Sequence, residues 1–194
     1  MNRGLAPGDL CTRHRMQRTA EQVEEELLVI RCQEGDSGAA EALVARWERR
    51  LLRHALRLTG EAEAARDVAQ ESWLAIFRGL RALDDPARFG PWAYRIATRR
   101  CADWIRRKSR RRETSAERLE PAADPPSDSP DMRTLIRGLP APSRAVLSMF
   151  YADEMSVAEI AEALGVPEGT VKSRLYTARE RLRRAMGVEK EKTR

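Results

Sequence analysis

Aromatic residues make up only 5% of this 194-residue chain, and histidine occurs twice. Cysteine occurs three times, as Cys11, Cys32 and Cys101, far apart and odd in number. No two form a CxxC pair and no histidine stands at metal-ligand spacing. A disulfide framework and a zinc site are therefore excluded, and reduced thiols in a cytoplasmic protein are expected. No apolar run approaches the roughly 20 residues needed to cross a bilayer. The basic N-terminus has no hydrophobic stretch after it, so neither membrane insertion nor a signal peptide is expected. Sustained apolar/polar alternation is missing too, while Ala, Arg, Glu and Leu dominate, which predicts an all-α fold. There is no glycine-rich phosphate loop, HExxH or GxSxG, and His14 and His54 are isolated, with His54 expected on a helix surface. No enzymatic activity, cofactor or metal is expected. The carboxylates of Asp67 and Glu71 stand one helical turn apart but have no third ligand, so a protein-docking face is the better use for them.

What the chain does have is basic charge: a net +6 and an isoelectric point near 9.7. Its distribution matters more than its total. Arg99, Arg100, Arg106, Arg107, Lys108, Arg110, Arg111 and Arg112 crowd one stretch that follows aromatics, whereas acid gathers early at Glu21, Glu24, Glu25 and Glu26. A polyanionic partner, nucleic acid, fits that layout. The segment from Glu113 to Pro130 is dense in Pro, Ser and Asp and has almost nothing to bury, as expected of an extended tether. The expected organisation is an extension over 1–18, a helical module over 19–112, the linker over 113–130, a second module over 131–187 and a tail over 188–194. Met16 is a second candidate start.

In the first module helices are predicted from Thr19 or Ala20 to Cys32, from Ser37 to Gly60, from Glu61 to Gly79, and from Pro91 onward. Asp36 or Ser37 caps the second, and Ala40, Val44, Trp47, Leu51, Ala55 and Leu58 give it one apolar stripe. The second module reads as a short helix from Asp131 to Arg137 and another from Pro142 to Tyr151. A capping box at Ser156 and Glu159 then starts a helix that Gly165 stops, and a long helix follows Pro167. Two helices joined by a tight glycine turn make a helix-turn-helix.

Projected at 100° per residue, the last helix puts Val171, Leu175, Ala178 and Leu182 on one side. Gly169, Ser173, Tyr176, Thr177 and Glu180 fall on the other, with Lys172, Arg174, Arg179, Arg181 and Arg183 mostly on the flanks. A major-groove helix needs this layout: small or hydrogen-bonding groups toward base edges and cations toward phosphates on both shoulders. Free amides near Gly169 favour a phosphate.

The string Asp67-Val-Ala-Gln-Glu-Ser-Trp73 resembles the second conserved region of the sigma-70 family, and Pro91-Trp-Ala-Tyr-Arg-Ile-Ala-Thr-Arg-Arg-Cys-Ala-Asp103 resembles its adjoining helix. The string from Gly169 to Glu180, preceded by Glu159 to Gly165, resembles the fourth region of extracytoplasmic-function members, and Leu139-Pro140 stands where that region usually begins. The resemblance implies an RNA polymerase sigma factor with core polymerase, promoter DNA and an anti-sigma factor as partners, monomeric when free. It implies polymerase docking through Asp67, Gln70, Glu71 and Trp73. It implies −10 contacts from Trp92, Tyr94, Arg95, Arg99 and Arg106, with Tyr94 and Arg95 expected exposed and the loop from Arg81 to Phe89 selecting a flipped base. It implies −35 contacts from Gly169, Thr170, Lys172, Ser173, Arg174, Tyr176, Thr177 and Arg179. Two positions depart from the family: Arg99 where most members have Asn, and Thr177 where many have Arg. A stand-alone helix-turn-helix regulator is the competing reading, distinguished by tight binding of the free protein to duplex DNA.

Overall fold

The structure is a computed structural model that describes residues 19–114 and 132–187. The expected extension 1–18, the tether beyond Thr114 and the tail lie outside the described residues. Among those residues all regular structure is helical.

Local signals set the helix ends. Thr19 and Gln22 form a capping box for α1 (Ala20–Gln33). The Asp36 carboxylate accepts the Ala39 amide at the start of α2 (Ser37–Thr59), and that bond, aided by Arg31, holds its pKa below the usual carboxylate range. Gly60 closes α2 in the left-handed region at φ 77°, which a side chain would strain. Then come α3 (Ala62–Gly79) and two 3-10 turns, Leu80–Ala82 and Pro86–Arg88, which lead into α4 (Phe89–Thr114). This fourth helix starts two residues before Pro91 and runs past the expected end of the module, so Glu113 is helical rather than part of a tether. Gln33 secures the turn region from a distance: its amide donates to the carbonyls of Leu80 (2.9 Å) and Leu83 (2.8 Å).

The α2 stripe is rotated slightly from expectation. Ala39 and Leu43 are buried with Trp47, Leu51, Ala55 and Leu58, while Ala40 and Val44 are only half-buried. Trp47 sits against Phe89 and Tyr94 in edge-to-face pairs (5.4 and 5.8 Å), and its indole N–H donates to Glu25.

In the second module α5 (Met132–Arg137) precedes α6 (Ala141–Tyr151), α7 (Val157–Leu164) and α8 (Glu168–Ala185). Ser156 and Glu159 form the capping box of α7, and Gly165 ends it at φ 64°. The seam of α8 is Val171, Leu175 and Ala178, all buried.

The two modules share their apolar interior. One buried cluster runs from Val29, Leu43, Trp47 and Phe89 into Val146, Met149, Ile160 and Leu175, and a second joins Ala55, Leu58 and Cys101 to Ala145. Arg144 of α6 donates to the Leu58 carbonyl at the end of α2 (2.7 Å). Phe89 is fully buried where these elements meet. Phe89→Ala is expected to lower stability by roughly 3–5 kcal/mol, read as a reduced urea midpoint at unchanged helix content.

Candidate nucleic-acid interface and docking faces

On α8 the outward residues stand free of the core. Gly169, Lys172, Ser173, Tyr176, Thr177 and Arg179 are exposed, while Thr170 and Arg174 are half-buried at its flank. Lys172 pairs with Glu168 at 3.6 Å, and the Ser173 hydroxyl donates to the Thr170 carbonyl at 3.0 Å. Arg179 is anchored rather than free. Its Nε donates to the Tyr151 hydroxyl (2.8 Å), and the guanidinium lies 5.4 Å from the centroids of both the Phe150 and Tyr151 rings. Glu180, expected on the outer face, turns back half-buried to pair with Arg183. The net result is a cation-flanked face with a small-residue centre on a helix whose inner seam is fixed.

On α4 the expected group of aromatics and cations divides in two. Trp92, Arg95, Arg99 and Arg106 share a face, since their spacings return to nearly the same angle of the helix. Arg95, Arg99 and Arg106 are exposed, with Arg106 paired to Asp103. Trp92 is half-buried against Phe89 and over Gly79, where a Cβ would come within 3.1 Å of its ring. Tyr94 corrects the expectation of exposure: it is 4% exposed and belongs to the core. Two residues from Trp92 is about 200° around a helix, which aims Tyr94 at α2. Between the 3-10 turns and α7 a cavity of about 220 Å³ is lined by Leu83, Asp85, Arg88, Trp92, Arg95 and Glu162.

On α3, Asp67 and Gln70 are exposed and Glu71 half-buried on one face. Trp73 is not on it. It is 9% exposed, part of the main cluster, and stacked on Phe77 at 5.5 Å. The face carries two apolar residues that the sequence reading passed over, Leu74 (52% exposed) and Phe77 (40%). Leu74 lies one turn beyond Gln70 and Glu71, and Phe77 one turn further along the same side, where a helical projection of α3 places both.

His54 is also placed differently from expectation. It is wholly buried on α2 among Tyr94, Thr98 and Asp153. Its Nε2 is 2.9 Å from the Thr98 hydroxyl and its Nδ1 is 3.5 Å from Asp153. The Nε2 contact with Thr98 is a hydrogen bond, whereas Nδ1 and the Asp153 Oδ2 facing it are buried without a hydrogen-bond partner. Asp153, its side chain only 3% exposed, is ion-paired to Arg57, whose Nε also donates to Ser148 at 2.5 Å. Tyr94 completes the cluster: burial first, then the Asp153 charge, pushes its phenol well above 10.0. Among the described residues no group of His, Cys, Asp or Glu is placed to hold a metal ion, and no helix is long and apolar enough to cross a membrane.

Two family models match the chain. Residues 43–111, from α2 to the basic end of α4, match Sigma-70 region 2, and residues 130–182 match Sigma-70, region 4. The chain is 31% identical over 170 residues to the ECF RNA polymerase sigma factor SigW of Bacillus subtilis, covering 78% of this chain and 91% of that protein. It is 30% identical over 183 residues to the RNA polymerase sigma-H factor of Pseudomonas aeruginosa, covering 85% and 95%. Among solved structures, CnrH in complex with the cytosolic domain of CnrY superposes with a TM-score of 0.66 at 24% identity, covering 86% of this chain and 99% of that one. The sigma factor RpoE of Bartonella quintana, solved with the anti-sigma factor NepR, gives 0.65 at 21% identity, covering 77% and 98%. These two likenesses concern the fold.

The buried cluster sets a pH dependence. Burial holds the His54 imidazole below 6.5, with Asp153 offsetting part of the effect. The unfolded chain thus takes the proton more readily, so stability from His54 is complete above 6.5 and falls away as pH drops through the folded value. Asp153 acts lower. Burial alone would raise its pKa, but bonds and charge from His54 and Arg57 hold it below 3.8, so its share is lost only in stronger acid. Between about pH 7.5 and 5.5 the urea midpoint of the wild type is expected to fall more steeply than that of His54→Gln; equal slopes would contradict the assignment.

Proposed function

The chain belongs to the extracytoplasmic-function group of the sigma-70 family of RNA polymerase sigma factors, and from that membership we propose how its surfaces divide the work. As a sigma factor it directs core polymerase to specific promoters and initiates transcription by recognising −35 and −10 elements and melting the latter. The observation that carries this is the order of the two matches on one chain: region 2 ends on the aromatic and basic helix α4, and region 4 ends on the cation-flanked helix α8.

In this reading the first module (19–112, its last helix reaching Thr114) docks on polymerase and captures the melted −10 strand, and the second (131–187) reads −35. Docking uses the α3 face: Asp67, Gln70 and Glu71 supply charge and hydrogen bonds around an apolar centre of Leu74 and Phe77. Trp73 supports that face from beneath by stacking on Phe77. A small exposed apolar patch ringed by polar groups is the usual anatomy of a binding hot spot.

For the −10 strand, Trp92 offers a partly exposed ring and Arg95, Arg99 and Arg106 a row of cations on the same side, which suits base stacking with phosphate contact. Tyr94 takes part only if its surroundings open. For −35, Gly169 and Thr170 meet the backbone, Lys172, Arg174 and Arg179 flank it as cations, and Ser173, Tyr176 and Thr177 face base edges. Arg179 arrives already oriented by Tyr151.

The protein works in the cytoplasm as a polymerase subunit, monomeric when free, and does no covalent chemistry of its own. An anti-sigma factor is the expected antagonist, since RpoE was solved with one.

Run-off transcription from a genomic promoter pool, with core polymerase and with or without the chain, tests the assignment. Discrete starts that require the chain are expected; no new starts together with tight duplex binding by the free chain would overturn it. Leu74→Glu is expected to weaken polymerase binding by at least about tenfold at unchanged helicity. Thr177→Arg is expected to shift −35 choice at one base, by about 1–3 kcal/mol of discrimination, scored by selection from a randomised promoter library; an unchanged consensus would contradict the placing of Thr177.

A further inference from the structure

The basic run that ends α4 does not lie on one side of the helix. Measured from Arg106 at 100° per residue, Arg95 and Arg99 return to within about 20°, whereas Arg107 is turned by about 100°, Arg111 by about 140° and Trp104 by about 160°. The first group lies with Trp92 on the side proposed above to meet the −10 strand. The second turns toward α3, where a cleft of about 450 Å³ is lined by Asp67, Glu71, Trp104, Arg107, Lys108 and Arg111. Arg107 and Arg111 are exposed and Trp104 is half-buried. Lys108 is occupied within the cleft, paired to Glu61 and placed over the Trp104 ring. Among the described residues Asp67 and Glu71 on one wall, and Arg107 and Arg111 on the other, form no ion pair.

Nucleic acid and protein both use such cations, and the cleft favours protein. A DNA strand brings phosphates alone, and the carboxylates of Asp67 and Glu71 repel it from this side of α4. A protein surface presents both signs. The cleft matches a segment that offers a basic group to Asp67 and Glu71 and a carboxylate to Arg107 and Arg111, an alternation that also fixes the segment's register. The same two carboxylates belong to the docking face proposed for α3, so the cleft continues that face rather than opening a separate site. Trp104 gives it an aromatic floor, and tryptophan and arginine are the side chains that concentrate binding energy at protein interfaces.

We propose that the basic run of α4 serves two partners: Arg95, Arg99 and Arg106 face the −10 strand, whereas Arg107 and Arg111, with the Trp104 ring, take a carboxylate of core polymerase beside the basic group held by Asp67 and Glu71. The inference rests on the sigma reading and on the docking role of α3. Its own content is that the polymerase contact crosses from α3 onto α4, and that Arg106 and Arg107, neighbours in sequence, answer to different molecules. Polymerase thereby grips the far end of the helix that holds the −10 strand.

The test measures equilibrium binding of the full-length chain, labelled with fluorescein at its N-terminus, to core polymerase without DNA at several salt concentrations. Arg107→Gln with Arg111→Gln is expected to weaken binding by about tenfold and to make it less dependent on salt, because two charge contacts are gone. Arg107→Lys with Arg111→Lys, which keeps the charge, is expected to recover most of that loss. Helix content and thermal midpoint of both double variants are expected to match the wild type. Wild-type core affinity in the Gln pair would overturn the inference. If its holoenzyme instead binds a labelled single strand carrying the −10 sequence of mapped promoters more weakly, the two arginines belong to DNA. Equal losses in the Gln and Lys pairs at unchanged salt dependence would overturn it as well, since a charge contact would then be absent. Weakened core binding by Leu74→Glu beside any of these results would leave the α3 docking face standing. A wild-type chain that does not bind core polymerase would overturn the sigma reading, and this inference with it.

Discussion

A carboxylate taken out of water must be met by cations and hydrogen-bond donors, or its burial costs more than the surrounding fold can supply. Asp153 is such a group, and much of the structure is arranged around meeting it. Helix α2 turns Arg57 and His54 toward the same point, His54 from within its buried face and Arg57 from the edge of it. The loop that delivers the carboxylate is fixed by its own backbone: the amides of Ala152 and Asp153 donate to Ser148, that of Met155 donates to Met149, and Glu154 between them adopts φ 54°. A non-glycine residue held in that region is a small local cost. The packed loop maintains it, with Asp153 aimed into the first module.

That dependence explains which features the sequence made legible. Helix ends were readable because their signals are local: Thr19, Asp36 and Ser156 cap, Gly60 and Gly165 stop, and each acts within one turn. The outward face of α8 was readable for a similar reason, since one strong seam of Val171, Leu175 and Ala178 fixes its rotation. His54 was misplaced for another reason: it stands on the line of the stripe, between Leu51 and Leu58, but its polarity suggested a surface position, whereas Thr98 and Tyr94 of α4 and Asp153 enclose it. The burial of Tyr94 and Trp73 was hidden for a different reason. Both lie in motifs whose charged members do face outward, and a motif read as a string hides a rotation of about 200° between near neighbours.

The two nucleic-acid surfaces are built to different mechanical standards. A helix that reads duplex DNA benefits from rigidity, and α8 has it, with its seam in the core and Arg179 clasped by Tyr151 and Phe150. Strand capture asks for rings that can be presented to unstacked bases, and on α4 the rings are partly committed elsewhere. Trp92 lies over Gly79 so closely that a methyl group there would crowd it, and Tyr94 is packed on Trp47 and His54. The basic end of the same helix is also partly engaged: Lys108 pairs with Glu61 and lies 5.0 Å from the Trp104 ring centroid.

Gln33 has a consequence for how such proteins can be recombined. Its amide spans almost fifty positions of sequence to hold the carbonyls of Leu80 and Leu83, at the head of the turns that precede α4. A segment of this kind invites transplantation between relatives as a cassette, because its ends are short and its tip is exposed. Here its shape is written partly in the last turn of α1. A graft that moved the turns without the residue at position 33 would leave two carbonyls seeking a donor, and the inserted segment would settle into another form. The unit of exchange, in evolution or in the construction of chimaeras, is therefore the turns together with α1.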